Sequence, residues 1–210
     1  MMLVHIDRAS HSMDKILGAE SYGKFRHELS LFECAKCGMA TNRTALFVDE
    51  GNPDAKVLFI TDVPGDSKNL EEANFLGQSG VLLNEMLRGV GFSLKNDALI
   101  ASVVKCLPPN VSSITHMEIS TCLTFLKKQI ELMQPSLIVL LGAAAFQCLF
   151  PGRNSISIDK EAGRLFENPD YPDAKFMLLY HPALIANDPR RQSATQKHLQ
   201  SFVKLWKTLP

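Results

Sequence analysis

A short run of branched apolar residues in the second half of the chain limits the folds that this sequence can adopt. The run, LIVLL at 137–141, lies between Pro135 and Gly142. A continuous apolar segment of this length is typical of a strand that is buried on both faces. Such strands occur in parallel sheets that helices cover on both sides. The sequence therefore predicts an α/β fold around a largely parallel sheet.

Strand and helix patterns alternate on both sides of this run, as a layered α/β fold requires. Strand patterns occupy 43–48, 56–61, 98–104 and 176–180, and helix patterns occupy 13–33, 79–91, 115–133 and 190–207, with a further short helix after Gly142. Thr115 and Glu118 have the spacing of a capping box, which predicts where the third long helix begins. We expect one domain over 1–210, with 1–30 as an N-terminal helical extension.

Composition and charge narrow the functional classes. Apolar residues make up 46% of the chain, and Lys+Arg and Asp+Glu both total 22, so the net charge is zero. A neutral balance argues against a large electrostatic surface for nucleic acid, although Arg88, Lys105 and Lys127 could still line a local basic face. The apolar runs are too short to span a bilayer and the N-terminus has no export signal, so we expect a cytoplasmic protein without membrane attachment.

Four of the five cysteines predict a metal centre. Cys34 and Cys37 form a CxxC, Cys106 lies in a loop after a strand, and Cys122 lies in the next helix. Four thiolates suit tetrahedral zinc or an iron–sulfur cluster, and a zinc ribbon would normally supply a second CxxC, so we favour a cluster over zinc. The alternative, four buried small hydrophobic residues, fits poorly with the charged segment ECAKCG. Cys148 lies in an apolar helix and is assigned to the core.

Candidate ligand-binding residues follow several predicted strands, where ligands bind in α/β sheets. The turn 61–65 has backbone N–H groups that could face a ligand, and glycines in the loop 74–80 allow close backbone approach. Each candidate also has a plainer interpretation, as a turn cap, a core ring, a small strand residue or a structural histidine. Their common location at one sheet edge favours a site. The candidates are Asp62, Phe75, Ser102 and His181.

Taken in order, the motifs of this sequence resemble those of the iron–sulfur uracil-DNA glycosylases, usually called family 4. The motifs are CAKC, VPGD, NFLGQSGVLLNEML, VVKCLPP with a cysteine in the next helix, LIVLLGAAA, AGR and HPALI. They extend over roughly residues 30 to 205 and are specific when they occur together in this order. The resemblance implies a three-layer αβα fold with a central, mainly parallel four-stranded sheet. It also implies a [4Fe–4S] cluster on the four cysteines and excision of a flipped-out uracil from DNA in base excision repair. We further expect a monomer.

The resemblance implies roles for individual residues as well. Phe75 corresponds to the ring that stacks on the flipped base, and Asp62 to an acidic residue of the first catalytic motif. His181 corresponds to the histidine that stabilises the leaving uracil anion, and 183–185 to the loop that wedges into the duplex. The cluster in such enzymes is regarded as structural. The expected base-binding residues are Val63, Gly65, Phe75 and Ser102, and the expected DNA contacts are Gln78, Ser79, Gly80, Ala183 and Leu184.

Several positions depart from the family pattern. The family motif GEAPG is replaced by TDVPG, and PFVG is replaced by NFLG. Ser102 stands where the family usually has Asn before VVKC, and Ala162–Gly163 stands where the family has RG before the last strand. An Asn amide can pair with both O4 and N3–H of uracil, whereas serine offers one hydroxyl. The first hypothesis is therefore a glycosylase that acts on uracil or a neighbouring deaminated base. The alternative is a divergent or inactive member of the superfamily that binds DNA or another partner through the same fold.

Overall fold

The computed structural model describes residues 12–41, 43, 45–65, 77–107, 114–153 and 156–210. The helices in these ranges are α1 Met13–Leu17, α2 Tyr22–Leu31, α3 Gly77–Gly89, α4 Leu94–Asp97, α5 His116–Met133, α6 Ala143–Leu149, α7 Ile158–Glu161, α8 Pro182–Ala186 and α9 Pro189–Trp206. The strands are β1 Ala45–Leu46, β2 Glu50–Gly51, β3 Val57–Thr61, β4 Ala98–Ser102, β5 Cys106–Leu107, β6 Leu137–Leu141, β7 Leu165–Glu167 and β8 Lys175–Leu179.

Six strands form the main sheet in the order β2-β4-β3-β6-β8-β7. The four inner strands are parallel, and β3 pairs with β4 on one side and with β6 on the other. The two edge strands, β2 and β7, run antiparallel to their neighbours. This arrangement confirms the predicted three-layer α/β fold with four parallel strands. The two edge strands were not predicted, because segments of two or three partly exposed residues carry too little apolar pattern to be identified as strands.

The inner strands are buried on both faces. In β3, Leu58 and Ile60 pack on the face that α5 and α6 cover, whereas Val57 and Phe59 pack on the face that α3 and α9 cover. All five residues of β3, β4 and β6 are buried. Burial on both faces explains why these strands are continuous apolar runs and not alternating patterns.

Helix α5 lies where the sequence predicts it. The Thr115 hydroxyl accepts a hydrogen bond from the Glu118 N–H at 3.3 Å, and the Glu118 carboxylate accepts one from the Thr115 N–H at 2.7 Å. The helix ends at Gln134, which has a left-handed φ of 49° directly before a proline. Cys122 and Gln129 lie on its buried face. Within the described ranges no helix, α5 included, has the length and apolar character that crossing a membrane requires.

The first part of the chain differs from the prediction. The helix expected over 13–33 is divided at Gly18, whose N–H donates to the Asp14 carbonyl oxygen at 2.8 Å. A Cβ at position 18 would lie 2.9 Å from that oxygen, so the close approach favours glycine. Among the described residues of the strand expected over 43–48, only the two residues of β1 form a strand. They pair antiparallel with β5 in a separate two-stranded sheet. Helices α1 and α2 pack together against Phe125 of α5.

Candidate functional site

Asp62 and His181 meet at the carboxyl edge of the sheet. Asp62 follows β3 and His181 follows β8, the two strands that flank β6. The Nε2 atom of His181 lies 3.5 Å from Oδ1 of Asp62 and 3.3 Å from Oγ1 of Thr61. The structure therefore brings together the two residues predicted as catalytic.

His181 is held by the helix that follows it. It is the N-cap of α8, and its Nδ1 accepts a hydrogen bond from the Ala183 N–H at 3.2 Å. A neutral imidazole whose Nδ1 accepts a hydrogen bond carries its proton on Nε2. The Nε2–H of His181 is therefore directed toward Asp62 and Thr61, where it can donate to an oxygen at the strand ends.

Hydrogen bonds keep the Asp62 carboxylate ionised. It accepts from the Val63 N–H at 2.8 Å and from the Thr61 hydroxyl at 3.2 Å. Burial raises the pKa of Asp62, but the hydrogen bonds that it accepts, from His181 foremost and then from the Val63 N–H, outweigh it, so this pKa lies below its ordinary value. The side chains of Asp62 and His181 are 30% and 29% exposed, so a ligand can reach both.

Gly142 allows His181 to lie close to the end of β6. Its φ is 91°, and an added Cβ would lie 3.0 Å from the Cβ of His181. Its N–H donates to the Leu179 carbonyl oxygen at 2.9 Å, which joins the ends of β6 and β8. The sequence alone predicts Gly142 only as the start of a helix. A glycine directly after a buried parallel strand was the signal for close backbone approach at this edge.

Two of the predicted base-binding groups are already engaged within the chain. Ser102 is fully buried, and its Oγ donates to the Val104 carbonyl oxygen at 2.7 Å. The Val63 N–H donates to Asp62, as described above. The Ser102 hydroxyl proton and the Val63 amide proton are therefore both used before any base binds.

The other predicted contacts are described in part. Ala183 and Leu184 are exposed on α8, next to His181, and form one rim of the site. Gly65 is half-buried after the turn, and Gly80 is buried in α3. The described residues do not include Phe75 or the side chains of Gln78 and Ser79.

The four predicted metal ligands, Cys34, Cys37, Cys106 and Cys122, lie in one region that we call the cysteine corner. Cys37 is half-buried and the other three are buried, and none of the four forms a disulfide. Burial raises the pKa of Cys106, and the charges of Cys34 and Cys37 raise it further, against the opposing effect of Arg43. Burial likewise raises the pKa of Cys122 to about 11, with smaller contributions from the charges of Cys106 and Cys37. The four thiols are thus near enough to influence one another.

Nitrogen donors surround the cysteine corner. Arg43 Nη1 donates to the Cys34 carbonyl oxygen and lies 3.9 Å from the Cys106 sulfur. The backbone N–H of Lys105 lowers the pKa of Cys122, against the effect of burial. Four thiols with N–H donors form a donor set that fits a thiolate-bound metal group. Among the described residues, however, no three His, Cys, Asp or Glu side chains converge closely enough to hold a metal ion.

The fold and the Asp62–His181 pair together define an α/β protein with a carboxylate–imidazole site at the carboxyl edge of a parallel sheet. Residues 48–209 match the family model described as the uracil DNA glycosylase superfamily, and the chain belongs to this superfamily.

Several similar proteins carry the name Type-4 uracil-DNA glycosylase. The Thermotoga maritima protein is 36% identical over 165 residues, which cover 76% of this chain and 83% of that protein. The Archaeoglobus fulgidus protein is 31% identical over 178 residues, or 83% of this chain and 89% of that protein. The Sulfurisphaera tokodaii protein is 29% identical over 190 residues, or 89% of this chain and 85% of that protein. These similarities confirm the resemblance that the motifs indicate.

Proposed function

We propose that this protein is a uracil-DNA glycosylase, which hydrolyses the bond between uracil and deoxyribose in DNA. The observation that carries the proposal is the Asp62–His181 pair, located at the sheet edge within the residues that match the superfamily. Similarity to type-4 enzymes over most of the chain supports the same activity. It disfavours a module that only binds DNA.

The target base must leave the stack before it can react, because the C1′–N1 bond is shielded inside the duplex. The rim formed by Ala183 and Leu184 supports this step. Leu184 is an exposed apolar side chain, 38% exposed, and it lies one helical turn from the imidazole. We propose that it enters the duplex while the uracil occupies the space in front of Asp62 and His181.

During hydrolysis negative charge develops on the base and positive charge develops on the sugar. As the C1′–N1 bond breaks, its electron pair leaves with uracil, and a water oxygen bonds to C1′. In this proposal the ionised Asp62 carboxylate orients that water and stabilises the positive charge on the sugar, since its lowered pKa keeps it ionised. The Nε2–H of His181 donates to the uracil O2, where negative charge develops. The water proton passes to solvent, and uracil takes up a proton after release.

Base selection would rely less on position 102 than in the family pattern. The Ser102 hydroxyl is engaged with Val104, so this side chain offers no paired donor and acceptor for the edge of uracil. A site that lacks a hydrogen-bonding partner discriminates less strongly between related bases. We therefore propose uracil as the main substrate and another deaminated base, hypoxanthine or xanthine, as a weaker one.

We also propose that the cysteine corner holds a [4Fe–4S] cluster, with zinc as the less favoured occupant. Cys34, Cys37, Cys106 and Cys122 would be the ligands, and the group would supply structural support to the loops that they join. The donor set described above supports this proposal. Iron and acid-labile sulfide analysis, together with broad visible absorbance, distinguishes a cluster from zinc, which is colourless.

The activity is tested with an end-labelled oligonucleotide that contains one uracil. The wild-type protein should leave an abasic site, seen as cleavage after alkali treatment, whereas a matched oligonucleotide with thymine should stay intact. Asp62→Asn should reduce the rate by about 100-fold or more, the usual contribution of a positioned acid or base. No abasic product from uracil, hypoxanthine or xanthine with enzyme in excess would contradict the proposal. Binding of abasic DNA without turnover, unchanged in His181→Ala, would instead favour the binding module.

A further inference from the structure

Lys105 is a buried lysine that lies between the two sites. The charge pattern of the sequence allowed it a place on a basic face, but its side chain is only 1% exposed. Its Nζ donates to the Ser102 carbonyl oxygen at 2.6 Å and to Oε1 of Gln129. Burying an ammonium group without partners is very costly, so both contacts are needed to keep it inside.

Gln129 connects this lysine to the N-terminal helices. It is fully buried on α5, and its Nε2 donates to the Tyr22 hydroxyl at 2.9 Å and to Oδ2 of Asp49 at 3.0 Å. The Tyr22 hydroxyl in turn donates to the same Asp49 oxygen at 2.9 Å. Asp49 also forms an ion pair with Arg26. One side of the Lys105 ammonium is therefore anchored in a hydrogen-bonded network that spans α2 and α5.

The other side of the ammonium holds the backbone next to Asp62. The Ser102 carbonyl, which accepts from Lys105, shares a peptide unit with the Val103 N–H. That N–H donates to the Thr61 carbonyl oxygen at 2.9 Å. The next N–H, of Val104, donates to the Asp62 carbonyl oxygen at 3.0 Å. A cation on a carbonyl oxygen polarises the peptide and strengthens the hydrogen bond that its N–H donates. Lys105 thus strengthens the hydrogen bond before the Asp62 Cα, and the turn that its side chain holds supplies the hydrogen bond after it.

The same residue contacts the cysteine corner. The backbone N–H of Lys105 lowers the pKa of Cys122, and Cys106 is its neighbour in the chain. Lys105 therefore adjoins the cysteine corner through its backbone, and its side chain is hydrogen-bonded to the end of β4, which pairs with the strand before Asp62.

We propose that Lys105 is a positioning residue, whose ammonium fixes the turn 102–105 and thereby the position of the Asp62 carboxylate. The inference rests on the proposed function in one respect, namely that Asp62 acts in base excision. It gives Lys105 a role that joins the two sites, because the side chain that orders the end of β4 comes from the segment that leads into the cysteine corner.

The test compares Lys105→Met, which keeps the length of the side chain and removes its charge, with Lys204→Met as a control. Lys204 is exposed on α9. The measured quantities are the single-turnover excision rate, the Kd for uracil-containing DNA, and the visible absorbance of the purified protein. We expect the rate of Lys105→Met to fall about 10- to 100-fold, since a displacement of about 1 Å in a reacting group can cost that much. The Kd should stay within about twofold, because no DNA contact is removed.

Gln129→Met provides the second variant, in case Lys105→Met fails to fold. It removes one partner of the ammonium and leaves the bond to Ser102, so we expect a smaller loss of rate, again with little change in Kd. Amide hydrogen exchange of Val103 and Val104 should become faster in both variants and stay unchanged in Lys204→Met.

The outcomes separate this inference from the proposed function. A wild-type protein that never excises a base refutes both. The positioning role alone is refuted if the wild type is active and Lys105→Met excises uracil at a rate within about twofold of the wild-type rate. Where only Gln129→Met folds, the same result in that variant refutes it. A loss that appears in Kd and not in the single-turnover rate also refutes it, because Lys105 would then act on DNA binding. A loss of rate at constant Kd with faster exchange at 103 and 104 supports it.

Discussion

The cysteine corner and the Asp62–His181 site both gather residues that are far apart in the sequence, but different forces hold them. Cys106 and Cys122 lie among apolar side chains of α5 and the strands, and burial is the largest influence on their pKa values. It raises the pKa of Cys122 to about 11, although the Lys105 N–H opposes it. Burial is also the largest single influence on the pKa of Asp62, yet there the hydrogen bonds of His181, Val63 and Thr61 reverse the shift.

This difference shows how one fold lowers the pKa of one acid and raises the pKa of others. The carboxyl edge supplies donors from strand ends and a helix N-terminus, so a half-exposed acid is ionised. The cysteine corner supplies fewer donors, so the thiols of Cys106 and Cys122 stay protonated unless a cation such as a metal displaces their protons. Variants of each region therefore measure how far the two regions are independent.

The largest effect should come from removing a thiol of the cysteine corner. Cys122→Ser should lose most of the bound iron and the visible absorbance, since a site of four thiolates loses one ligand. Loss of a group that binds only the folded state lowers stability, and we expect Tm to fall by about 10 °C or more. Cys148→Ser is the matched control, because Cys148 is a half-buried cysteine outside the corner. Equal iron content in both variants would contradict the assignment of Cys122 as a ligand.

The next effect concerns the other region. His181→Ala should lower the single-turnover excision rate by about 100- to 1,000-fold, the usual cost of removing one preorganised donor to a developing anion. Iron content should not change, because His181 makes no direct contact with the cysteine corner among the residues that the structure describes. A variant that loses its iron as well would show that the two regions depend on each other more than their contacts indicate.

Some elements of both regions could be predicted because their signals are local. The strand at 137–141 and the helix that begins after Thr115 agree with the structure to within a residue, since an apolar run, a capping box and a proline are adjacent in sequence. The meeting of Asp62 and His181 also follows from topology, because parallel strands end at one edge.

Other features depend on tertiary contacts that no local pattern carries. Lysine is rarely buried, so nothing in the sequence predicts that Lys105 lies inside with Gln129. The inward direction of the Ser102 hydroxyl depends on the turn that brings the Val104 carbonyl oxygen within 2.7 Å. The two antiparallel edge strands depend on their neighbours for pairing. In each case the deciding partner is set by folding and not by spacing along the chain.

A moderate effect should follow from filling the space beside His181. Gly142→Ala combines a positive φ with a Cβ only 3.0 Å from the Cβ of His181, and we expect it to destabilise the fold by about 1–3 kcal/mol. The excision rate should also fall, by about tenfold or more, because the imidazole is pushed from its place. Gly152→Ala is the control, since a Cβ there meets no atom within 4 Å. Urea unfolding and single-turnover rates measure the two quantities, and a stable Gly142→Ala protein with the wild-type rate would show that His181 is not held by this contact.

The smallest effect should be a dependence of stability on acid pH that comes from Asp62. Because its folded pKa lies below the ordinary 3.8, the carboxylate stabilises the fold above that ordinary value. The contribution is lost as the pH falls through the folded pKa, since protonation then removes the charge that the donors stabilise. The difference in free energy of unfolding between wild type and Asp62→Asn should therefore be constant from about pH 7 to about pH 5 and shrink below about pH 4. Urea unfolding of both proteins across this range measures the difference. If it instead begins to change well above pH 4, burial outweighs the hydrogen bonds at Asp62, and the carboxyl edge is governed by the same force as the cysteine corner.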